Sequence, residues 1–408
     1  MDRRLFLAFC LAGCASAPSG PAPAAAPPPY AGDPPFDSWL AQFRARAIQA
    51  GLAPDLIDRE MAGLTPDDRV SALDSRQPEF SKPVGDYIKG VVTEDRIAMA
   101  RRKRVDLPFW PALEQRFGVP RDILIGVWAM ESGFGAIQGD YDVVRSMATL
   151  AADGRRRDFA EDQLISALKI IGSGEFPRSR LRGSWAGAMG QTQFIPSSFL
   201  NNAVDGDGDG RRDIWTSSAD ALASAANLLV RGGWRRGEGW AREVIATDRF
   251  DYSLTEGPKQ TPAAWAALGV RRADGLAWST ADQAASAVLI APSGAAGPLF
   301  LLFPNHFAIR TYNNSTAYAL GVGLLADRFA GGGPLVRAWP PEIGLGVADR
   351  MAAQQALNAL GFDTGTPDGV VGINTRAAVR AWQKSRGLTA DGYLSVDMVR
   401  RLKAEAGT

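Results

Sequence analysis

Apolar residues recur along this chain at helical spacing, in blocks broken by glycine and proline. Residues 37–50 predict an amphipathic helix, and residues 120–131 a more strongly apolar one. Pro120 suits the first turn of the latter, and Gly133 its stop. Two further helices are predicted over residues 219–231 and 315–328. Between them, residues 242–312 are less helical, and F-L-L-F at 300–303 reads as a short buried strand. The pattern therefore predicts an α+β fold, mainly helical, with a small strand-containing subdomain. Past G-G-G-P at 331–334, helices are predicted near 348–360 and 375–386, with Thr375 at a helix N-cap. Asp-Gly turns at 368–369 and 391–392 stand 23 residues apart and suggest a degenerate internal repeat.

The chain is long enough for two domains, with 408 residues of which 46% are hydrophobic and 22% charged. A net charge of +1 gives no whole-molecule reason to expect a nucleic acid, and none is expected as partner. His306 is the only histidine, which removes the usual zinc sites and limits any Ser-His-Asp or Cys-His engine to its surroundings. Both cysteines, Cys10 and Cys14, lie in a start that reads as an export signal: Arg3 and Arg4, then an apolar run too short to span a membrane. Residues 15–35 hold eight prolines among small residues, a semi-extended tether. The expected division is a leader over 1–13, a tether over 14–35, a body over 36–332, a linker over 333–345 and a C-terminal module over 346–408.

Chemistry concentrates at Glu131. It closes an otherwise apolar run, and on a helix it shares a face with Leu124, Val127 and Trp128. An apolar wall disfavours the ionised carboxyl and makes it a proton donor near neutral pH, as cleavage of a glycosidic bond requires. The same spacing suits a helix-terminal glutamate that simply faces solvent. G-S-W-A-G-A-M-G-Q-T-Q-F, residues 183–194, adds glycines that admit close approach, with Ser184, Gln191 and Gln193 as neutral hydrogen-bonding groups suited to a sugar. It also suits a plain Gly-rich connection. In D-G-D-G-D-G, Asp205, Asp207 and Asp209 occupy positions one, three and five of an EF-hand-like loop, with Gly210 at six. Arg211 at seven would offer its carbonyl. Thr216 stands at twelve in place of the usual glutamate, so this is not a regular EF-hand. An exposed acidic turn is the plainer reading; mutual repulsion of the three carboxylates favours calcium.

Four motifs in order, E-S-G-F-G, G-S-W-A-G-A-M-G-Q-T-Q-F-I-P-S-S-F, D-G-D-G-D-G and N-H-F-A-I-R-T-Y-N-N-S, resemble the lytic murein transglycosylase B family over most of residues 36–330. The resemblance implies a lysozyme-like fold. It also implies cleavage of the bond between N-acetylmuramic acid and N-acetylglucosamine, with Glu131 as the single acid/base. By the same resemblance, Ser184, Gln193, Tyr312 and its neighbour Asn313 line the sugar groove, and Arg155 and Arg156 fall near the substrate. A solvated helix start accounts for those arginines equally well. Asp220 would close a structural calcium site; no cofactor is implied for the chemistry. Leu228 stands where the family resembles S-x-A-N-Y, which puts one substrate contact in doubt. A single carboxylate suffices if the muramic 6-hydroxyl attacks its own anomeric carbon and leaves a 1,6-anhydro end.

Leu11 to Cys14, L-A-G-C, closely resembles a bacterial lipobox, with Cys14 as the lipidated residue. That implies a periplasmic, lipid-anchored monomer at the outer membrane of a Gram-negative cell. Residues 348–402 resemble the peptidoglycan-binding domain one family, which implies a hold on the glycan polymer. A muramidase with a second carboxylate at Asp140 or Asp153, and a non-catalytic wall-binding protein, are the competing expectations.

Overall fold

The computed structural model describes residues 36–75 and 82–407. The leader, the tether and Cys14 lie outside the described residues. Two compact units emerge, the first from residues 36–75 and 106–228, the second from 82–105 and 229–407. Compactness thus divides the chain elsewhere than at the Gly/Pro break near 332. The strand-containing region and the C-terminal module fall in one unit.

The first unit is helical. Its central element is the Arg121–Ser132 helix, in which every residue from Ile123 to Ala129 is buried. Gly133 is the C-cap, in the left-handed region at φ 59°, as expected of the stop; Pro120 is the extended N-cap, one residue ahead of the first turn in which it was expected. Residue 133 has no Cβ, so this ending is free of steric cost. The helices Val143–Asp153 and Arg157–Gly172 pack closely on each other and bury most of their residues. Asp142 caps the first of these through Val144 N and Arg145 N, and pairs with Arg178 at 2.9 Å. A two-residue antiparallel ladder joins β1 (Tyr141–Asp142) to β2 (Arg182–Gly183).

The second unit holds an antiparallel sheet of order β4-β3-β6-β5. Its strands are β3 (Ala241–Ala246), β4 (Val270–Arg272), β5 (Val288–Ile290) and β6 (Leu299–Leu302). All four residues of β6 are buried, as the continuous apolar run demands of a strand covered on both faces. Val244, Trp265, Leu289, Leu301 and Phe303 form the core on one side; on the other, Phe300 stacks on Trp339 at 6.1 Å. His306 is fully buried against Trp240, with neither ring nitrogen hydrogen-bonded among the described residues. Burial, aided by Arg310, pushes its pKa down to about 3. A neutral, enclosed imidazole of this kind is core, not the base of a triad.

The C-terminal module comprises helices Val347–Ala359, Ile373–Ser385 and Val396–Ala406 around Leu357, Val379, Trp382 and Leu402. Its repeat is visible in hydrogen bonds. Gln354 Oε1 accepts from Gly369 N at 2.8 Å, and Gln383 Oε1 accepts from Gly392 N at the same distance. One expectation needs correction. Thr375 is not an N-cap, because the helix already starts at Ile373 with Gly372 as cap. Thr375 is buried and accepts from Gln354 Nε2 at 3.2 Å.

Candidate active site

Glu131 sits one residue from the end of the buried helix and is itself half-buried. Its helical neighbours Leu124, Val127 and Trp128 are 2% exposed or less, so this face of the helix presents an apolar wall beside the half-buried Glu131. The chain then turns sharply. Gly133 and Phe134 both take left-handed conformations, and Trp128 meets Phe134 edge-on at 5.9 Å. A non-glycine residue such as Phe134 holds such a conformation only where its surroundings impose it.

The surroundings are the 183–194 loop. Ser132, buried directly after Glu131, donates from Oγ to Gln191 O at 2.5 Å and accepts from Gly135 N at 2.8 Å. Gln193 Nε2 donates to Gln138 O at 3.1 Å, and Gln138 Nε2 donates to Trp215 O at the same distance. Gly139, at φ +85°, lies so close to the loop that a Cβ would stand 2.2 Å from Gly183 O. The segment after Glu131 is therefore bonded to the loop along its length, which fixes where the carboxylate sits relative to that loop.

The polar loop residues face inward more than the sequence suggested. Ser184 Oγ accepts from Ala188 N at 3.0 Å and closes its own turn. Gln191 is buried, with Nε2 donating to Trp215 O at 3.3 Å and Oε1 accepting from Ser218 Oγ at 3.0 Å. Gln193 is 8% exposed, in a left-handed conformation at φ 51°, and also donates to Gly190 O. These side chains build the loop beside Glu131.

Arg155 and Arg156 converge on one carboxylate that sequence reasoning missed. Asp74, 5% exposed, accepts from Arg155 Nε at 2.8 Å and Arg156 Nη2 at 2.5 Å. Burial pushes the Asp74 carboxyl up, but the two guanidinium groups outweigh it and hold it below the usual range. Arg156 also lies over the Trp185 ring at 5.5 Å, which ties the clamp to the loop. Nothing local in the sequence could have paired residues 81 and 82 positions apart.

Tyr312 and Asn313 belong to the second unit, in the turn before the Thr316–Phe329 helix. Ser315 caps that helix through Tyr318 N, and the Tyr312 ring stacks on Tyr318. Leu228 is half-buried near the end of the Ser218–Arg231 helix, beside Asn227, which donates to Asn202 O at 3.0 Å. Of the carboxylates weighed as a second acid, Asp153 is exposed and accepts from Ser71 Oγ at 2.6 Å, and Asp140 is exposed.

Carboxylate oxygens of Asp205, Asp207 and Asp209 lie within 4.8 Å of one another. N–H groups of Gly210 and Gly208 hold the Asp205 carboxyl below the usual range. The donor set fits a hard cation. Arg211 sends its guanidinium over Phe176 and to Glu175 O. Asp220, expected to close the cluster, stands outside it. Its oxygens are taken by Gly206 N and Asp213 N, both at 2.7 Å, and its burial raises its pKa. It ties the loop at Gly206 to the chain at Asp213.

Residues 35–327 match a family model described as the transglycosylase SLT domain, and residues 347–402 match a putative peptidoglycan binding domain. The chain is 30% identical over 254 residues to membrane-bound lytic murein transglycosylase B of Escherichia coli (strain K12), a match covering 60% of this chain and 66% of that relative. Its fold is similar to the crystal structure of SltB3 from Pseudomonas aeruginosa in complex with NAG-anhNAM-pentapeptide. The TM-score is 0.86 and the identity 43%, over 90% of this chain and 99% of the other. It is also similar to the Escherichia coli lytic transglycosylase Slt35 in complex with calcium, at TM-score 0.60 and 26% identity, over 71% of this chain and 92% of that one.

Proposed function

This chain belongs to the transglycosylase SLT domain family, and from that premise we propose that Glu131 is the single acid/base of a peptidoglycan lytic transglycosylase. The protein is such an enzyme, with a lysozyme-like catalytic region and a C-terminal peptidoglycan-binding domain. The observation that carries the assignment is the half-buried Glu131 at the lip of an apolar helix, with the next residue bonded into the 183–194 loop. Glu131 protonates the glycosidic oxygen as the bond to the muramic C1 breaks. It then takes the proton of the muramic 6-hydroxyl as that oxygen bonds to C1, which closes the anhydro ring and returns the carboxyl to its starting state. Exclusion of water from C1 matters to this step, and the apolar side of the site favours it. The relative solved with NAG-anhNAM-pentapeptide supports this outcome over hydrolysis. Digestion of purified sacculi tests it: mass spectrometry of the soluble fragments is expected to show anhydro ends, and reducing muramic ends in their place would favour a muramidase.

Calcium is proposed at Asp205, Asp207 and Asp209, with the Arg211 carbonyl as a further oxygen. Its part is structural, neutralising three carboxylates at one turn. The relative solved with calcium supports this reading. A chelator is expected to lower the melting temperature, and calcium to restore it; identical melts would remove the site.

Cell-wall chemistry suits a periplasmic enzyme, and the lipobox supports lipidation at Cys14. Labelled palmitate is expected to enter the wild type; its incorporation into Cys14→Ser would rule that residue out. A monomeric body of residues 36–332 joined to the 346–408 module completes the proposal.

A further inference from the structure

The two halves of the C-terminal module are built alike at their Asp-Gly turns, but only one turn is occupied. In the second, Asp391 Oδ1 accepts from Gln383 Nε2 at 2.8 Å and Tyr393 N at 3.0 Å. In the first, Asp368 Oδ1 accepts from Gln354 Nε2 at 3.0 Å and Val370 N at 2.8 Å. The second oxygen of each carboxylate separates them. Asp391 Oδ2 accepts the backbone Ala295 N at 2.9 Å. Gly294 lies flush on the same turn, where a Cβ would stand 2.4 Å from Asp391 Oδ2 and 2.7 Å from Tyr393 Cβ. This turn thus grips a peptide amide flanked by small residues, with the side chain at 393 packed beside it.

Among the described residues nothing comparable covers the first turn. Both bonds go to Oδ1, and among the described residues none donates to Asp368 Oδ2. Asp368 is exposed, and beside it Val370 and Ile373 are 64% and 62% exposed. Two apolar side chains this open, next to a carboxylate oxygen of known preference, form a ready partner for the same chemistry. We propose that the Asp368–Ile373 turn binds the peptide stem of peptidoglycan, with Asp368 Oδ2 accepting an amide N–H and Val370 and Ile373 packing on small side chains next to it. The inference rests on the reading that this module binds peptidoglycan. It commits to the stem over the glycan because the segment that fills the equivalent turn is peptide backbone, Gly294–Ala295.

The test uses the full chain carrying Glu131→Gln, to prevent digestion, and follows amide hydrogen exchange. Two probes are added separately: stem peptides released from sacculi by an amidase, and peptide-free glycan strands. Stem peptides are expected to slow exchange at residues 368–373. Asp368→Asn keeps the Oδ1 acceptor that builds the turn and replaces the open oxygen with a donor; it should weaken binding by about three- to tenfold. Val370→Ser, at an exposed position with little structural burden, should weaken it similarly. Unchanged affinity in both variants, or slowing at 368–373 by glycan strands alone, would overturn the proposal. Slowing elsewhere within 347–402 would overturn it while leaving the wall-binding reading intact. No change in the module with either probe would overturn that reading as well.

Discussion

Glu131→Gln is expected to lower the release of anhydro-ended fragments by about 10³-fold or more, with the melting temperature nearly unchanged. Both proton transfers pass through this one carboxyl, so the amide loses the acid step and the base step together. Glutamine matches glutamate in size and fills the same half-buried position after Met130; packing against the helix is retained. The measurement is the rate of sacculus solubilisation, paired with thermal melts of both proteins. Wild-type rates in the variant would strip Glu131 of its role and turn attention to Asp140 and Asp153. A large drop in melting temperature would show that the change acts through folding instead.

How much of this was legible beforehand varies with distance along the chain. The Glu131 helix was readable with its ends, because Pro120 and Gly133 act on their own residues' backbone. The module's Asp-Gly turns were readable for the same reason, and the glutamines at 354 and 383 confirm the repeat in hydrogen bonds. What the sequence concealed was direction. Gln191 and Gln193 looked like sugar contacts, but their amides bond to Trp215 O and Gln138 O, 24 and 55 residues away. Asp220 was placed at the cation cluster, but two backbone N–H groups claim its oxygens. Residue types predicted where chemistry concentrates; tertiary partners decided which atoms remain to do it.

Asp74 shows the same principle with a large expected effect. Asp74→Ala should cost about 2–4 kcal/mol, because it leaves Arg156, 19% exposed, without its counter-charge in a poorly hydrated position. Arg155, at 55% exposure, regains water and adds less. In melting temperature this is a drop of roughly 5–12 °C in the transition of the first unit. The pH dependence has a definite sign. The folded pKa of Asp74 is held below its unfolded value, so its contribution is complete above the ordinary carboxyl pKa of about 3.9 and is lost as pH falls through the lower folded value. The gap between wild type and variant should therefore be constant from about pH 5 to 8 and narrow in stronger acid. A constant gap down to the most acidic melts would refute the ion-pair explanation. Kinetics then separate the two roles weighed for the arginines. If they serve as a clamp, Asp74→Asn lowers the melting temperature, and enzyme held well below that temperature keeps a near-normal KM. If Arg156 instead grips the substrate, Arg156→Lys raises KM at an unchanged melting temperature, because lysine keeps the charge but loses the planar fork.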